Sequence, residues 1–138
     1  MNRCPMFKFN TKRKFNNKKM TTPDGEFDSK GEWERWLFLK EAVKNGQISG
    51  LRRQVKYILI PTQYRTEIVH LKTKDKEVQR VAEREITYTA DFVYEKDGNV
   101  VVEDFKGFPN DRWPLKKAMM LYFHGIAIRE VKKPTEPI

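Results

Sequence analysis

The segment ITYTADFVYEKDGNVVVEDFK, residues 86–106, decides the fold of this chain. Two runs within it, residues 86–94 and 99–106, are rich in β-branched and aromatic side chains and predict two strands. Asp97-Gly98 lies between them and is typical of a tight hairpin turn, which needs positive φ at its central residues. The segment therefore predicts an antiparallel hairpin.

The register of this hairpin follows from its turn. With a two-residue turn, Lys96 pairs with Asn99, and the same count places Asp91 opposite Asp104. Directly opposed residues have β-carbons about 4.5–5.5 Å apart. Lys106 lies two positions beyond Asp104 and therefore shares its face of the strand. The sequence predicts two carboxylates and an ammonium on one side of the hairpin.

Two opposed carboxylates repel each other and weaken a sheet, so folding alone gives no reason to place them there. A divalent cation does, because Mg²⁺ binds through one or two carboxylates together with substrate phosphates. The lysine could neutralise developing charge or orient an attacking water. This set suits metal-assisted hydrolysis of a phosphodiester. Two alternatives stay open: the functional acid is Glu103, on the other face, or a longer turn shifts the register by one.

A helix is predicted before the hairpin. Residues 29–32 have the S-x-x-E form of a capping box, and the helix runs to about Asn45, where Gly46 ends it. One face collects the residues at helical spacing, namely Glu32, Trp36, Leu39 and Val43. Glu32 is thus a fourth site candidate that points towards the sheet, although a capping-box acid needs no metal. Glu34 lies on a more polar face and is the weaker choice.

The remaining elements complete a layered α/β domain. Residues 53–60 predict a strand closed by Pro61, and residues 62–84 a charged excursion with extended pairing around 68–71. A second helix is expected at 112–124 and a last strand at 126–131. A strand–helix–strand order implies a parallel, right-handed crossover. The predicted order is α-β-β-β-α-β with a mixed sheet.

The charge of the chain points to a polyanion as its partner. There are 28 Lys and Arg against 19 Asp and Glu, a net charge of +9. Phosphate contacts dominate nucleic-acid affinity, although a merely basic protein is the alternative. We expect a basic, flexible N-terminal arm at 1–22, a single domain at 23–133 and a loose end at 134–138. The candidate DNA contacts are Lys12, Arg13, Lys14, Lys18, Lys19, Arg53, Gln54, Lys116 and Lys117. The alternative for each is a solubilising tail or a solvated surface.

Other classes of protein find little support. Cys4 is the single cysteine, which fits a reducing compartment, and no apolar run is long enough to span a bilayer. The N-terminus lacks the apolar core of a signal peptide, so we expect a cytoplasmic protein with no membrane partner. His70 and His124 lack partners at zinc-ligand spacing. Gly-rich phosphate loops and the G-x-S-x-G motif do not occur.

These residues together resemble the PD-(D/E)XK nuclease superfamily, through Asp91, then Asp104-Phe105-Lys106, with Glu32 on a preceding helix. The chain looks closest to small phage and prophage proteins of that superfamily. The resemblance covers roughly residues 16–131. It is carried by Asn17-Lys18-Lys19, Phe27-Asp28-Ser29-Lys30-x-Glu32, Tyr88-x-Ala90-Asp91-Phe92-Val93-Tyr94 and Val102-Glu103-Asp104-x-Lys106-Gly107.

The resemblance implies a restriction-endonuclease-like core and a Mg²⁺- or Mn²⁺-dependent DNA endonuclease. Asp91, Asp104 and Glu32 match the metal-binding acids, and Lys106 matches the motif lysine. Relatives include Holliday junction resolvases, often dimeric, which implies branched DNA as substrate, a homodimer, and the cytoplasm of a bacterium or phage-infected host. Ala90 stands where the motif has proline, and the second acid is Asp104 in place of Glu. Such families tolerate both departures. The alternative function is a non-catalytic nucleic-acid-binding module on the same fold.

Overall fold

The computed structural model describes residues 18–105 and 111–138. Within these ranges the chain forms a mixed α/β fold of two helices and eight strands. In chain order they are β1 (Met20–Thr22), β2 (Gly25–Phe27), α1 (Lys30–Lys44), β3 (Ser49–Ile60), β4 (Gln63–His70), β5 (Asp75–Glu83), β6 (Ile86–Lys96), β7 (Asn99–Phe105), α2 (Trp113–His124) and β8 (Arg129–Val131).

Four strands form the central sheet, in the order β3-β6-β7-β8. The pairs β3–β6 and β6–β7 are antiparallel, whereas β8 pairs with β7 in parallel. The parallel pairing follows from α2, which connects these two strands. The predicted mixed sheet and the predicted parallel last strand are confirmed.

Two apolar clusters cover the two faces of this sheet. One lies against α2, and we call it the α2 cluster; its buried members are Leu59, Tyr88, Ala90, Val93, Val102, Trp113, Met120 and Ile128. The other, the α1 cluster, has the buried members Leu39, Ala42, Ile48, Phe92 and Tyr94. The neighbours Val101 and Val102 on β7 pack into different clusters, so α1 and α2 lie on opposite faces.

The hairpin of β6 and β7 has the predicted turn and register. Asp97 and Gly98 have φ of 51° and 77°, as a primed two-residue turn requires. The paired residues run without a shift from Lys96–Asn99 at the turn to Phe92–Glu103. A two-residue turn is therefore correct.

Helix α1 begins and ends where its capping residues predict. The Ser29 side chain accepts a hydrogen bond from the Glu32 amide, at 3.2 Å. The predicted buried face is wrong in part. The buried residues are Glu32, Arg35, Leu39 and Ala42, whereas Val43 is exposed and Trp36 only half-buried. Arg35 can lie inside because Glu103 neutralises it, at 2.7 Å.

Two hairpins extend the predicted element order. Pro23 to Gly25 turns the chain between β1 and β2, so β1 lies within the predicted arm. The predicted excursion is a second antiparallel hairpin, β4–β5, in which no residue is buried. The end of the chain, for which we expected a loose segment, instead lies against the domain. Arg35 donates to the carbonyls of Pro134 and Glu136, at 3.2 and 2.5 Å.

Candidate active site

The candidate site lies where the neighbouring strands β3 and β6 are irregular. On each strand, residues an even number of positions apart point to opposite faces of the sheet across this place. Residues two apart in a regular strand share a face. On β6, however, Ala90 packs into the α2 cluster and Phe92 into the α1 cluster, with Asp91 between them. On β3, Leu51 packs into the α1 cluster and Val55 into the α2 cluster. The sheet is therefore irregular at one place on both strands.

Gln54 marks this irregularity on β3. The register of β3 on β6 sets Gln54 opposite Asp91, and its φ of 50° is in the left-handed region. A left-handed conformation costs a non-glycine residue about 1–3 kcal/mol and is often found at functional sites. The Gln54 amide nitrogen lies 3.4 Å from Glu32 Oε1 and 3.5 Å from Asp91 Oδ1. The strained backbone thus places one amide between two carboxylates from different elements.

Asp91 leaves the regular ladder just before its predicted pairing with Asp104. Among the described residues, the regular pairs of β6 with β7 end at Phe92–Glu103. One step further, Asp91 Oδ2 accepts the backbone N–H of Phe105, at 2.8 Å. The predicted direct opposition of Asp91 and Asp104 is therefore wrong in its detail, because the Asp91 carboxylate itself bonds the neighbouring strand.

Asp104 lies on the face of β7 that the α2 cluster covers. Its carboxylate is almost completely buried, and Oδ1 accepts a hydrogen bond from the Tyr88 hydroxyl, at 3.0 Å. Burial raises the pKa of Tyr88 well above its usual range, and the negative charges of Asp104 and Asp91 raise it further. Tyr88 therefore stays protonated and remains a donor to Asp104.

Glu32 approaches from the first turn of α1, with only 4% of its surface exposed. Its Oε2 accepts the Asp28 amide at 3.3 Å, one residue before the N-cap amide that a capping box would use. Gly31 permits α1 to begin close to β7, since a β-carbon there would come within 2.8 Å of the Phe105 ring. The close contact brings Glu32 towards the carboxylate that precedes Phe105.

Charges of both signs act on Glu32. Burial raises the pKa of Glu32 above its ordinary value, and the charges of Asp28 and Asp104 raise it further. The Asp28 amide and the Arg53 guanidinium act in the opposite direction. In such surroundings, a cation nearby would stabilise the ionised form of the carboxylate. Gln54 thus links Glu32 with Asp91, and the charge of Asp104 acts on Glu32.

These side chains offer oxygen ligands, which suit a hard divalent cation. The described part of the chain contains no group of three or more His, Cys, Asp and Glu that could hold a metal ion. Mg²⁺ usually keeps several waters and binds through one or two carboxylates plus substrate oxygens, so two acids would suffice for it. Asp91 and Asp104 fit that role by residue type and position.

Glu103, the open alternative to Asp104, has a different environment. Arg35 donates to both of its carboxylate oxygens, at 2.7 and 3.0 Å, and the Tyr94 hydroxyl donates at 2.5 Å. Arg129 lies 3.2 Å away. Glu103 thus belongs to a buried ion-pair network on the α1 face, away from the candidate site.

Arg53, expected at the DNA, makes its contacts within the protein. Its guanidinium lies 3.6 Å from the centre of the Phe27 ring and donates to the Glu26 carbonyl at 2.6 Å. It therefore holds the β1–β2 hairpin against β3. Lys117 lies 3.5 Å from Glu130, and Lys116 is half-buried.

Other predicted contacts lie at the edge of the described chain. Lys18 and Lys19 are exposed before β1. Lys12, Arg13, Lys14 and Lys106 lie outside the described residues, so their roles stay predictions.

Tyr88 is the site residue that the sequence reasoning missed. It lies three residues before Asp91 in a strand, and a buried tyrosine hydroxyl usually finds a hydrogen-bond partner. That rule could have directed attention to a carboxylate on the neighbouring strand. Arg35 was also missed, although it follows Glu32 and precedes Leu39 at helical spacing.

Neither helix in the described part of the chain is long and apolar enough to cross a membrane.

No curated protein matches the sequence. No solved structure matches it either. One protein family does match, over residues 12–133, which includes every described residue of the candidate site. The chain therefore belongs to the family described as "Protein of unknown function (DUF1064)".

Proposed function

We propose that this chain is a metal-dependent DNA endonuclease that hydrolyses phosphodiester bonds, on a restriction-endonuclease-like core. The observation that carries the proposal is the convergence of Glu32, Asp91 and Asp104 from three different elements. Each is held by hydrogen bonds within the protein, and Gln54 adopts a strained backbone between two of them. Such an arrangement costs stability, which a catalytic role would explain.

The protein residues would divide the work as follows. Asp91 and Asp104 would hold Mg²⁺, or Mn²⁺ in its place, and Glu32 would bind it directly or through a water. When bound, the cation would act as a Lewis acid on a phosphoryl oxygen. Asp91 is fixed by the Phe105 amide, and Asp104 by the Tyr88 hydroxyl. These bonds orient the carboxylates before any substrate arrives, which is how outer partners support metal ligands.

The net charge of +9 supports a polyanionic substrate. Lys106 would orient the attacking water or neutralise charge at the phosphate. Lys18 and Lys19, which are exposed before β1, would contact the DNA backbone. Backbone contacts carry little sequence information, so we propose selection by DNA shape, with branched DNA as the preferred substrate.

The test is a cleavage assay on linear, flapped and four-way DNA, with Mg²⁺, with Mn²⁺ and with chelator. Asp91→Asn keeps an oxygen for the Phe105 amide but loses the charge, and we expect cleavage to fall at least about 100-fold. Asp97→Asn is the matched control, because Asp97 lies in the hairpin turn, where asparagine also accepts positive φ.

Each outcome separates the alternatives. Cleavage that survives chelator or Asp91→Asn would contradict the metal mechanism. Tight binding of branched DNA without cleavage under either metal would favour the non-catalytic binding module. Equal cleavage of all three DNAs would contradict the shape preference alone.

A further inference from the structure

The outer face of α2 is apolar, although it faces solvent. Three large side chains are substantially exposed there: Leu115 (61%), Leu121 (57%) and Tyr122 (83%). The inner side of the helix is apolar too, since Trp113 and Met120 are buried in the α2 cluster. A helix that is apolar on both sides normally has both sides covered. We propose that two copies of this chain form a homodimer through the outer face of α2.

The exposed area is close to what a stable dimer needs. With about 200 Å² for a fully exposed large side chain, these three present on the order of 400 Å². An interface of standard size buries about 800 Å² on each partner, somewhat more than half of it apolar. The three side chains therefore supply most of the apolar area of such an interface. The largest apolar patch on a protein surface is often of this size, and such patches are often functional.

The pattern along α2 suits pairing with itself. Leu115, Ala118 and Tyr122 recur at helical spacing, and all three are exposed. The small side chain of Ala118 at the centre lets two helices approach closely. An antiparallel crossing there places Leu115 of one copy against Tyr122 of the other, and the reverse, as a two-fold axis requires.

The charges favour a second copy over a nucleic acid as the occupant. None of Leu115, Ala118, Leu121 and Tyr122 carries a charge, so this stripe offers a phosphate backbone no cation. The two lysines of α2 lie at its half-buried flanks, and Lys117 is 3.5 Å from Glu130. Two copies can therefore meet along the stripe without placing lysine against lysine.

The oligomeric state tests the proposal by sedimentation velocity over a dilution series, without DNA or divalent cation, so the result is independent of the proposed hydrolysis. We expect a wild-type dimer. Tyr122→Glu and Leu115→Glu, made separately, should each raise the dissociation constant at least about 100-fold. Tyr64→Glu is the matched control, because Tyr64 is 63% exposed on β4, and it should leave the dimer intact.

Circular dichroism shows whether each variant is folded, and substitutions at such exposed positions should leave the spectrum unchanged. A folded wild-type chain that stays monomeric throughout overturns the proposal. So does a dimer that survives both α2 variants, or one that Tyr64→Glu dissociates equally.

A cross-link tests the antiparallel crossing. In a Cys4→Ser background, Ala118→Cys should form a disulfide-linked dimer when diamide is added as oxidant. Thr73→Cys, at the exposed tip of the β4–β5 hairpin, should stay monomeric under the same conditions. A wild-type dimer in which Ala118→Cys does not cross-link contradicts a two-fold axis at this residue.

Discussion

Glu103 and Asp104 are neighbours on β7, and both are almost completely buried, but they face opposite sides of the sheet. On the α1 face, Glu103 meets two guanidinium groups, those of Arg35 at 2.7 Å and Arg129 at 3.2 Å. A buried acid in such a network is neutralised within the fold. Its two oxygens are occupied by the protein, and nothing in its surroundings calls for a ligand.

On the α2 face, Asp104 lies near other acids. Its charge helps to raise the pKa of Glu32, and with Asp91 it raises the pKa of the Tyr88 hydroxyl that bonds it. Bringing carboxylates together makes folding less favourable, whereas pairing an acid with arginine compensates its burial. The comparison separates an acid that arginines neutralise from one that lies near other acids, although the two are adjacent in sequence and both almost completely buried.

The largest expected effect is the loss of stability when the ion pair of Glu103 with Arg35 is broken. Arg35→Met should lower the free energy of unfolding by about 3–5 kcal/mol, because it leaves the Glu103 carboxylate buried without its bidentate partner. It also removes the donor to the carbonyls of Pro134 and Glu136. Urea denaturation measures the change.

Lys40→Met is the control for the loss of an ion pair at the surface. Lys40 bonds Asp24 at 2.9 Å but is 43% exposed, so its removal should cost less than about 1 kcal/mol. Equal losses for the two variants would contradict the structural role assigned to the Arg35–Glu103 pair.

The parts of this fold that were predicted from sequence depend on local chemistry. The Asp97-Gly98 turn fixes its own φ values, and it sets the register of β6 and β7 by counting alone. Ser29 and Gly46 mark the ends of α1 because helix caps use residues close in the chain. The turn pointed to Asp91 and Asp104 and the cap to Glu32, and the family resemblance joined the three into one set.

The parts that were missed depend on contacts between distant residues. Arg35 and Glu103 are 68 positions apart. An arginine on a helix is expected to face solvent unless a buried acidic partner is known. The irregularity at Gln54 and Asp91 cannot be recognised in the sequence pattern, because apolar residues precede and follow it on both strands. Counting pairs outward from the turn therefore predicted one pair too many, that of Asp91 with Asp104.

On the functional side, Asp104→Asn should separate activity from stability. Asparagine keeps an oxygen that can accept the Tyr88 hydrogen bond, so the free energy of unfolding should change by less than about 1.5 kcal/mol. Cleavage of DNA should fall at least about 100-fold, because the charge that would hold Mg²⁺ is lost. Cleavage at the wild-type rate by this variant would contradict the assignment of Asp104 to the site.

The smallest expected effect is a gain in stability. Burial and the charges of Asp28 and Asp104 raise the pKa of Glu32 in the folded chain above its unfolded value. The stability that Glu32 contributes is therefore fully present below its unfolded pKa, and it is lost as the pH rises through the raised folded pKa. Glu32→Gln cannot ionise and should melt roughly 3 °C higher than wild type at neutral pH. The gain should shrink as the pH is lowered towards the unfolded pKa.

Two comparisons make this result specific to the site. Glu34→Gln, in the same turn but half-exposed and 3.6 Å from Lys30, should show no such gain. Added Mg²⁺ should raise the melting temperature of wild type more than that of Glu32→Gln, because binding to the folded state stabilises it in proportion to affinity. A gain that does not depend on pH would assign Glu32 a packing role. If Mg²⁺ shifted both proteins equally, the cation would bind without Glu32, and the functional side of the comparison would rest on Asp91 and Asp104 alone.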